Sequence, residues 1–136
     1  MRVLVDTNIL LDFLLEREPY ATDAGKILDL CTDKNLQGCI AAHSVSNMFY
    51  ILRKIYNQVE RRELLMELCR IFHVEAIDSG MIVRSLKNNA FQDFEDCLQA
   101  ECAKAFGADY IVTRNPRDYT ASTVPVISPA ELCGMF

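Results

Sequence analysis

The sequence has 136 residues, 51% of them hydrophobic, and a formal net charge of −5. This length and apolar content fit one domain with a single sizeable core, so we expect residues 1–136 to form one domain. The acidic balance argues against a protein that coats nucleic acid by charge alone, because such proteins carry basic faces. No apolar run approaches the ~20 residues of a membrane span, and no signal peptide precedes the first strand, so we expect a cytoplasmic protein with no membrane contact.

The six cysteines are spread along the chain without any Cys-x-x-Cys pair, and neither histidine lies near a group of them. Disulfide frameworks are typical of exported proteins, and zinc sites need closely spaced cysteine or histidine ligands. We therefore predict that the cysteines are reduced and mostly buried as small apolar side chains.

The predicted elements alternate between strands and helices along the chain. Short apolar, β-branched runs predict strands, and apolar residues spaced three and four apart predict helices. The predicted strands are Val3–Val5, Gly38–Ala41, His73–Ile77, Ala108–Thr113 and Val124–Val126. The predicted helices are Ile9–Leu15, Pro19–Leu30, Ser44–Ile55, Glu60–Phe72, Met81–Asn89, Asp93–Phe106 and Ser128–Leu132. Gly107 is well placed just past a helix end, and Pro125 suggests that the fifth strand lies at a sheet edge.

This alternation predicts an α/β fold, with helices on both faces of a central, mainly parallel sheet of four to five strands. Ligands of such sheets bind beyond the carboxyl ends of the strands. The segments to examine for chemistry are therefore Asp6–Asn8, the start of the Ser44 helix, the start of the Asp93 helix, and Thr113–Asn115.

Asp6 directly follows the first apolar strand, so its side chain is expected to project from the carboxyl edge of the sheet. A carboxylate there is partly desolvated, and a divalent cation is an effective partner for it. The alternative is that Asp6 or Asn8 caps the following helix. Position alone does not decide between the two.

Asp93 and Asp96 stand three residues apart at a predicted helix start, which places them on one face. Two carboxylates on one face repel each other unless a cation lies between them or water screens them. Taken alone, the favoured interpretation is that Asp93 is the N-cap and Asp96 lies near the positive helix end. Glu95 is expected to point elsewhere on the helix and to remain solvated.

Polar residues also end the fourth strand. Thr113, Asn115 and the nearby Asp118 are suited to hold metal-bound waters or a phosphate, and Arg114 and Arg117 to grip a phosphate backbone. The alternative is a polar turn, since Asn-Pro dipeptides mark turns. Polar residues thus lie at three places around one crevice: after the first strand, at the start of the Asp93 helix and after the fourth strand. Such a set of oxygen ligands suits a hard cation such as Mg²⁺ or Mn²⁺.

Three segments together resemble the PIN-domain family: Val3–Asp12, Asp93–Ala100 and Gly107–Tyr119. The resemblance covers nearly the whole chain and implies a three-layer α/β/α PIN-like domain. It implies a metal-dependent endoribonuclease, often the toxin of a bacterial toxin–antitoxin pair. The same resemblance implies Mg²⁺ or Mn²⁺ as cofactor and RNA as substrate. It also implies a protein antitoxin as partner and a homodimer.

Asp6 matches the family's first metal carboxylate, and Asp96 matches the acidic position on the later helix. These two are the expected catalytic residues, and Asp93 is a neighbouring candidate ligand. Two departures lower the expected metal affinity. Asn115 stands at the last metal position, where relatives often carry Asp, and Asn47 stands near the place of a family Glu. An amide binds a metal through its oxygen but adds no charge.

The remaining expected roles are supporting ones. Residues expected to support the site are Thr7, Asn8, Asn47, Thr113 and Asp118. Candidates for holding the RNA backbone are Arg53, Lys54, Arg114 and Arg117, for which ordinary solvated surface is the alternative. In the implied mechanism, water activated at a metal held by Asp6 and Asp96 attacks a phosphodiester.

Two other function classes compete with the nuclease. The first is a non-catalytic module that has kept the fold and binds protein or RNA, which the asparagines at two metal positions favour. The second is a phosphotransferase or phosphatase with an aspartyl intermediate, but such enzymes generally carry a second Asp where this chain has Asn8. For the homodimer, apolar and aromatic residues of the first two helices, such as Phe13 and Tyr20, are candidate contacts, and core positions are the alternative for them.

Overall fold

The structure, a computed structural model, describes residues 1–136 and contains one five-stranded sheet. The strands are β1 (Arg2–Val5), β2 (Gln37–Ala41), β3 (His73–Glu75), β4 (Tyr110–Val112) and β5 (Val126–Ile127). Their order across the sheet is β3-β2-β1-β4-β5, and every neighbouring pair is parallel. The predicted α/β fold with a mainly parallel sheet is thereby confirmed.

Seven α-helices connect and flank the strands, and none is long and apolar enough to cross a membrane. They are α1 (Thr7–Leu14), α2 (Tyr20–Thr32), α3 (Ala42–Ile51), α4 (Gln58–Ile71), α5 (Ser79–Lys87), α6 (Phe94–Phe106) and α7 (Pro129–Gly134). The helix predicted to run to Ile55 ends at Ile51 and continues as a 3₁₀ turn, Leu52–Lys54. The next helix begins earlier than predicted, because Asn57 and Glu60 form a capping box.

The sheet separates two apolar cores, as the alternation of side chains along β1 requires. Val3 and Val5 pack with α1–α4 and α7 on one face, whereas Leu4 packs with α5 and α6 on the other. All six thiols are free, and four of them are buried. The three layers follow from this division, since each face of a parallel sheet must be covered by helices.

Two features of the sheet determine where the site lies. Val5 and Val112 pair across β1 and β4, so the residues that follow them, Asp6 and Thr113, leave the sheet side by side. β5 is an edge strand, as predicted, but it begins only after Pro125, which lacks an N–H; the Pro125 carbonyl instead accepts the Ile111 N–H at 2.9 Å. Because every neighbouring pair of strands is parallel, the carboxyl ends of all five strands lie at one edge of the sheet.

Candidate active site

A cleft opens at the carboxyl edge of the sheet and has two arms that meet at Asp93, Asp96 and Asp118. The first arm, about 390 Å³, runs along α1 and α3 and is also lined by Asp6, Thr7, Asn8, His43, Tyr50 and Gln99. The second arm, about 650 Å³, is also lined by Phe91, Gln92, Arg117 and Thr120. Asp93, Asp96 and Asp118 thus lie where the two arms meet.

Asp6 lies at the floor of the cleft and is only 5% exposed. Its Oδ2 accepts a hydrogen bond from the Thr113 hydroxyl at 2.8 Å. Asp6 occupies the N-cap position of α1, although its side chain makes no capping hydrogen bond of normal geometry. Burial raises the pKa of Asp6, and the hydrogen bond from Thr113 opposes that rise without cancelling it. The Asn8 and Thr7 N–H groups also lower this pKa and so favour the ionised form of Asp6.

Asp93 and Asp96 both border the cleft, but in different ways. Asp93 is the N-cap of α6 and accepts the Glu95 N–H at 2.7 Å, as the capping interpretation predicted. Asp96 is partly buried, and its pKa rises to about 7 because of burial and then the charges of Asp93, Asp118, Asp6 and Glu95. A carboxyl group so close to other negative charges is one that a cation would stabilise in its ionised form.

The structure separates the two residues expected at the end of β4. Asn115 donates its N–H to the Thr113 hydroxyl at 3.0 Å and lines neither arm of the cleft. Asp118, in the 3₁₀ turn Pro116–Tyr119, lines both arms, and its charge acts on Asp6 and Asp96. The carboxylate that the segment after β4 contributes to the cleft is therefore Asp118, three residues after Asn115.

The expectation that Glu95 points away from the site is wrong. Glu95 is exposed, but it lines the first arm and accepts a hydrogen bond from the Asn47 amide at 3.2 Å. The reason is helical spacing: Glu95 and Asp96 both lie one turn before Gln99, so the three share a face that looks into the cleft. Asn47 thus meets a carboxylate supplied by α6.

The four candidate RNA-binding residues have different surroundings. Arg117 is exposed in the second arm. The Arg114 guanidinium is paired with Asp12, with nitrogen–oxygen distances of 2.8 and 3.2 Å, and lines neither arm. Arg53 is exposed, stacks over the Tyr50 ring at 3.6 Å and donates to the Tyr50 carbonyl. Like Lys54, it lies outside the cleft lining.

Sequence reasoning missed four residues at the first arm. His43 and Tyr50 lie with Asn47 at spacings of four and three on α3, the signal that could have found them. Burial lowers the pKa of His43, against the opposing charges of Glu95 and Asp93. The other two, Ser44 and Gln99, are buried and hydrogen-bonded to Thr7.

The donors around the cleft suit a hard divalent cation. The side chains of the first arm supply carboxylate, amide and hydroxyl oxygens and include no lysine or arginine. No three His, Cys, Asp or Glu side chains converge closely enough to form a metal cluster by themselves. Mg²⁺ keeps several waters and is commonly held by one or two carboxylates, so Asp6 and Asp96, with Asp118 nearby, fit such an ion.

The raised pKa of Asp96 predicts how the stability of the metal-free protein depends on pH. A carboxyl group whose pKa is higher in the folded state stabilises the fold below its unfolded pKa, and this stabilisation is lost as pH rises through the folded pKa. With a folded pKa of about 7, the window runs from about pH 4 to about pH 7.

We therefore expect Asp96→Asn to melt near the wild-type temperature at pH 4 and above it at pH 7.5. Because Asp96 is partly exposed, solvent screening should limit the gain to about 1 kcal/mol, or ~3–5 °C. Thermal unfolding in a chelator, followed by circular dichroism across this range, measures the difference. Equal melting temperatures at pH 7.5 would contradict the proposed repulsion.

Comparison with known proteins agrees with this geometry. A family model described as PIN domain matches residues 2–117. A comparison with curated protein sequences finds no similar protein. Among solved structures, a chain of the toxin–antitoxin complex from Klebsiella pneumoniae superposes with a TM-score of 0.70 at 21% identity, covering 93% of this chain and 97% of that one.

Two further solved structures are similar in fold. A chain of VapBC2 from Rickettsia felis, bound to a promoter DNA fragment, has a TM-score of 0.68 at 16% identity and covers 94% of this chain and 98% of that chain. A chain of VapBC-1 from nontypeable Haemophilus influenzae has the same TM-score and identity and covers 96% and 99%. With a family model matching most of its length, this chain belongs to the PIN-domain family.

Proposed function

We propose that this protein is a metal-dependent endoribonuclease that hydrolyses RNA phosphodiester bonds. The observation that carries the proposal is the meeting of Asp6, Asp96 and Asp118 in one cleft at the carboxyl edge of the sheet. Membership of the PIN-domain family supports a nuclease in general. Metal dependence goes further and rests on the carboxylates of the site, and the choice of RNA follows from the resemblance to PIN-domain ribonucleases.

In this proposal Asp6 and Asp96 hold Mg²⁺ or Mn²⁺, with Asp118 beside them. When bound, the ion lowers the pKa of water and stabilises the charge that develops on the phosphoryl group. Thr113 orients Asp6 through its hydrogen bond, and Asp93 adds negative charge at the junction of the arms. Asn115 receives no ligand role, because it lies outside the cleft lining.

The two arms that share Asp93, Asp96 and Asp118 support cleavage within a strand rather than at its end. A single strand that occupies both arms passes the carboxylates midway along its bound length. In the second arm, Arg117 is free to pair with a phosphate, since it makes no ion pair with the protein. In the first arm, the Tyr50 ring is 63% exposed and suited to stack on a base.

We further propose that the protein is the toxin of a toxin–antitoxin pair and forms a homodimer. The similar solved structures from Klebsiella pneumoniae, Rickettsia felis and Haemophilus influenzae support an antitoxin partner, because they are toxin–antitoxin or VapBC assemblies. Phe13 and Tyr20 remain 41% and 47% exposed, which supports their role as contacts between two copies.

The test is cleavage of labelled single-stranded RNA by purified protein, combined with calorimetric titration of Mg²⁺ and Mn²⁺. We expect internal cuts that require either ion and stop in excess EDTA, and metal binding at micromolar to millimolar concentrations. The matched DNA strand is the control for substrate class. RNA bound without cleavage at any metal concentration would favour the non-catalytic module. Two observations support that alternative: Asn47 stands near the place of a family Glu, and no three acidic, His or Cys side chains converge as a metal cluster.

A further inference from the structure

Three side chains from different helices form a hydrogen-bonded network beneath the first arm of the cleft. The Gln99 amide nitrogen, on α6, donates to the Thr7 hydroxyl at 2.7 Å and to the Ser44 hydroxyl at 2.9 Å. The two hydroxyls, at the starts of α1 and α3, are 2.7 Å apart. Ser44 is fully buried and Gln99 is 3% exposed, whereas Thr7 is partly exposed and lines the cleft beside Asp6.

The number of protons in this network determines the direction of each hydrogen bond. The Gln99 amide nitrogen can only donate to the two hydroxyls, and the contact between the hydroxyls uses one of their two protons. Rotating the Gln99 amide would place its oxygen within reach of both hydroxyl protons. The observed orientation leaves the buried Gln99 Oε1 without a partner, whereas the rotated amide would leave two buried N–H groups without acceptors. Unsatisfied buried N–H groups are rarer than unsatisfied buried carbonyl oxygens, so the observed orientation is favoured.

One hydroxyl proton remains, and burial decides which residue carries it. Ser44 has no contact with solvent, and the Thr7 oxygen is the acceptor within its reach, so Ser44 donates to Thr7. The Thr7 oxygen then accepts two hydrogen bonds, from Ser44 and from Gln99. Its own proton has no acceptor inside the protein and is available only towards the cleft.

We propose that Ser44 and Gln99 are positioning residues that hold the Thr7 hydroxyl as a hydrogen-bond donor to a phosphoryl oxygen of the RNA strand. This inference rests on the proposed function. Phosphoryl oxygens only accept hydrogen bonds, whereas the neighbouring carboxylates repel them. A donor of fixed direction beside Asp6 therefore aids binding of the phosphate next to the metal carboxylates. Ser44 and Gln99 act entirely through Thr7.

The test is a double-mutant cycle on RNA binding and on cleavage. Variants Thr7→Val, Ser44→Ala, Gln99→Met and Thr7→Val with Gln99→Met are compared with the wild type. Binding of a fluorescein-labelled single-stranded oligoribonucleotide is measured by anisotropy in Ca²⁺, and single-turnover cleavage is measured in Mg²⁺. Ser46→Ala, an exposed serine on the same helix, is the matched control.

We expect each single change to weaken binding, and to slow cleavage, by ~10–100-fold, as for loss of one hydrogen bond to a charged group. The double variant should lose no more than Thr7→Val alone, because Gln99 acts through Thr7. Thr7→Ser, which keeps the hydroxyl, should recover most of the loss, and Ser46→Ala should match the wild type.

Multiplicative losses in the double variant, or a Thr7→Val protein with wild-type affinity, would overturn the inference. If Gln99→Met does not fold, the same cycle is run with Ser44→Ala. A wild-type protein that binds the RNA but never cleaves it would defeat the proposed function, while the binding cycle would still decide the role of Thr7. Failure of the wild type to bind the RNA at all would overturn both.

Discussion

Asp6→Asn is expected to lower the rate of metal-dependent RNA cleavage by at least ~10³-fold, because it removes a charge from the carboxylate that the metal needs. The substitution keeps the shape of the side chain and leaves an oxygen that can accept the hydrogen bond from Thr113. It also removes a buried carboxyl group whose pKa is raised, so the metal-free variant should unfold at a higher temperature than the wild type.

Single-turnover cleavage and calorimetric metal titration measure the two parts of this expectation. Asp29→Asn is the matched control, since Asp29 is exposed on α2, outside the cleft lining. The control should retain wild-type cleavage and metal binding. If Asp6→Asn still cleaves RNA at a comparable rate, the site is not the one proposed; if it loses cleavage only because it unfolds, the thermal measurement will reveal that.

Arg114→Ala is expected to destabilise the protein by ~3–5 kcal/mol, and to lower its melting temperature by roughly 10 °C or more. Asp12 is fully buried and is paired with two of the three guanidinium nitrogens of Arg114, and the Arg17 guanidinium approaches it only at 3.5 Å. Removing Arg114 leaves a buried charge without its main partner. Stacking of Arg114 on the Tyr20 ring, at 4.3 Å, would be lost as well.

Urea unfolding of three variants separates a structural role of Arg114 from an RNA-binding one. Arg117→Ala, three residues along the same segment but exposed, should change stability by less than about 0.5 kcal/mol while weakening RNA binding. Asp12→Leu with Arg114→Met should recover much of the lost stability, because no buried charge remains. A fully stable Arg114→Ala protein with weakened RNA binding would instead support the backbone-binding role expected from the sequence.

Local sequence patterns were sufficient for the order of elements and for two carboxylate positions. The run Val3–Val5 predicts a strand buried on both faces, and the polar residue after it must leave the sheet at its carboxyl edge. Gly107 has a φ of 73°, as expected of a glycine that ends a helix. The position of Asp96 near the start of α6, on the same face as Asp93, follows from the three-residue spacing of these two residues. Each of these inferences depends on neighbours within one or two turns of the chain.

The remaining features of the site depended on contacts between residues far apart in sequence. Arg114 binds Asp12 across 102 positions, and Gln99 binds Thr7 across 92. No local pattern distinguishes an arginine that pairs with a buried carboxylate from one that faces RNA. The sequence by itself therefore determined the parallel sheet and the placement of Asp6 and Asp96 at its edge. Only the tertiary structure decided that Asp118 rather than Asn115 lines the cleft, because Asn115 precedes the 3₁₀ turn Pro116–Tyr119 and Asp118 lies within it.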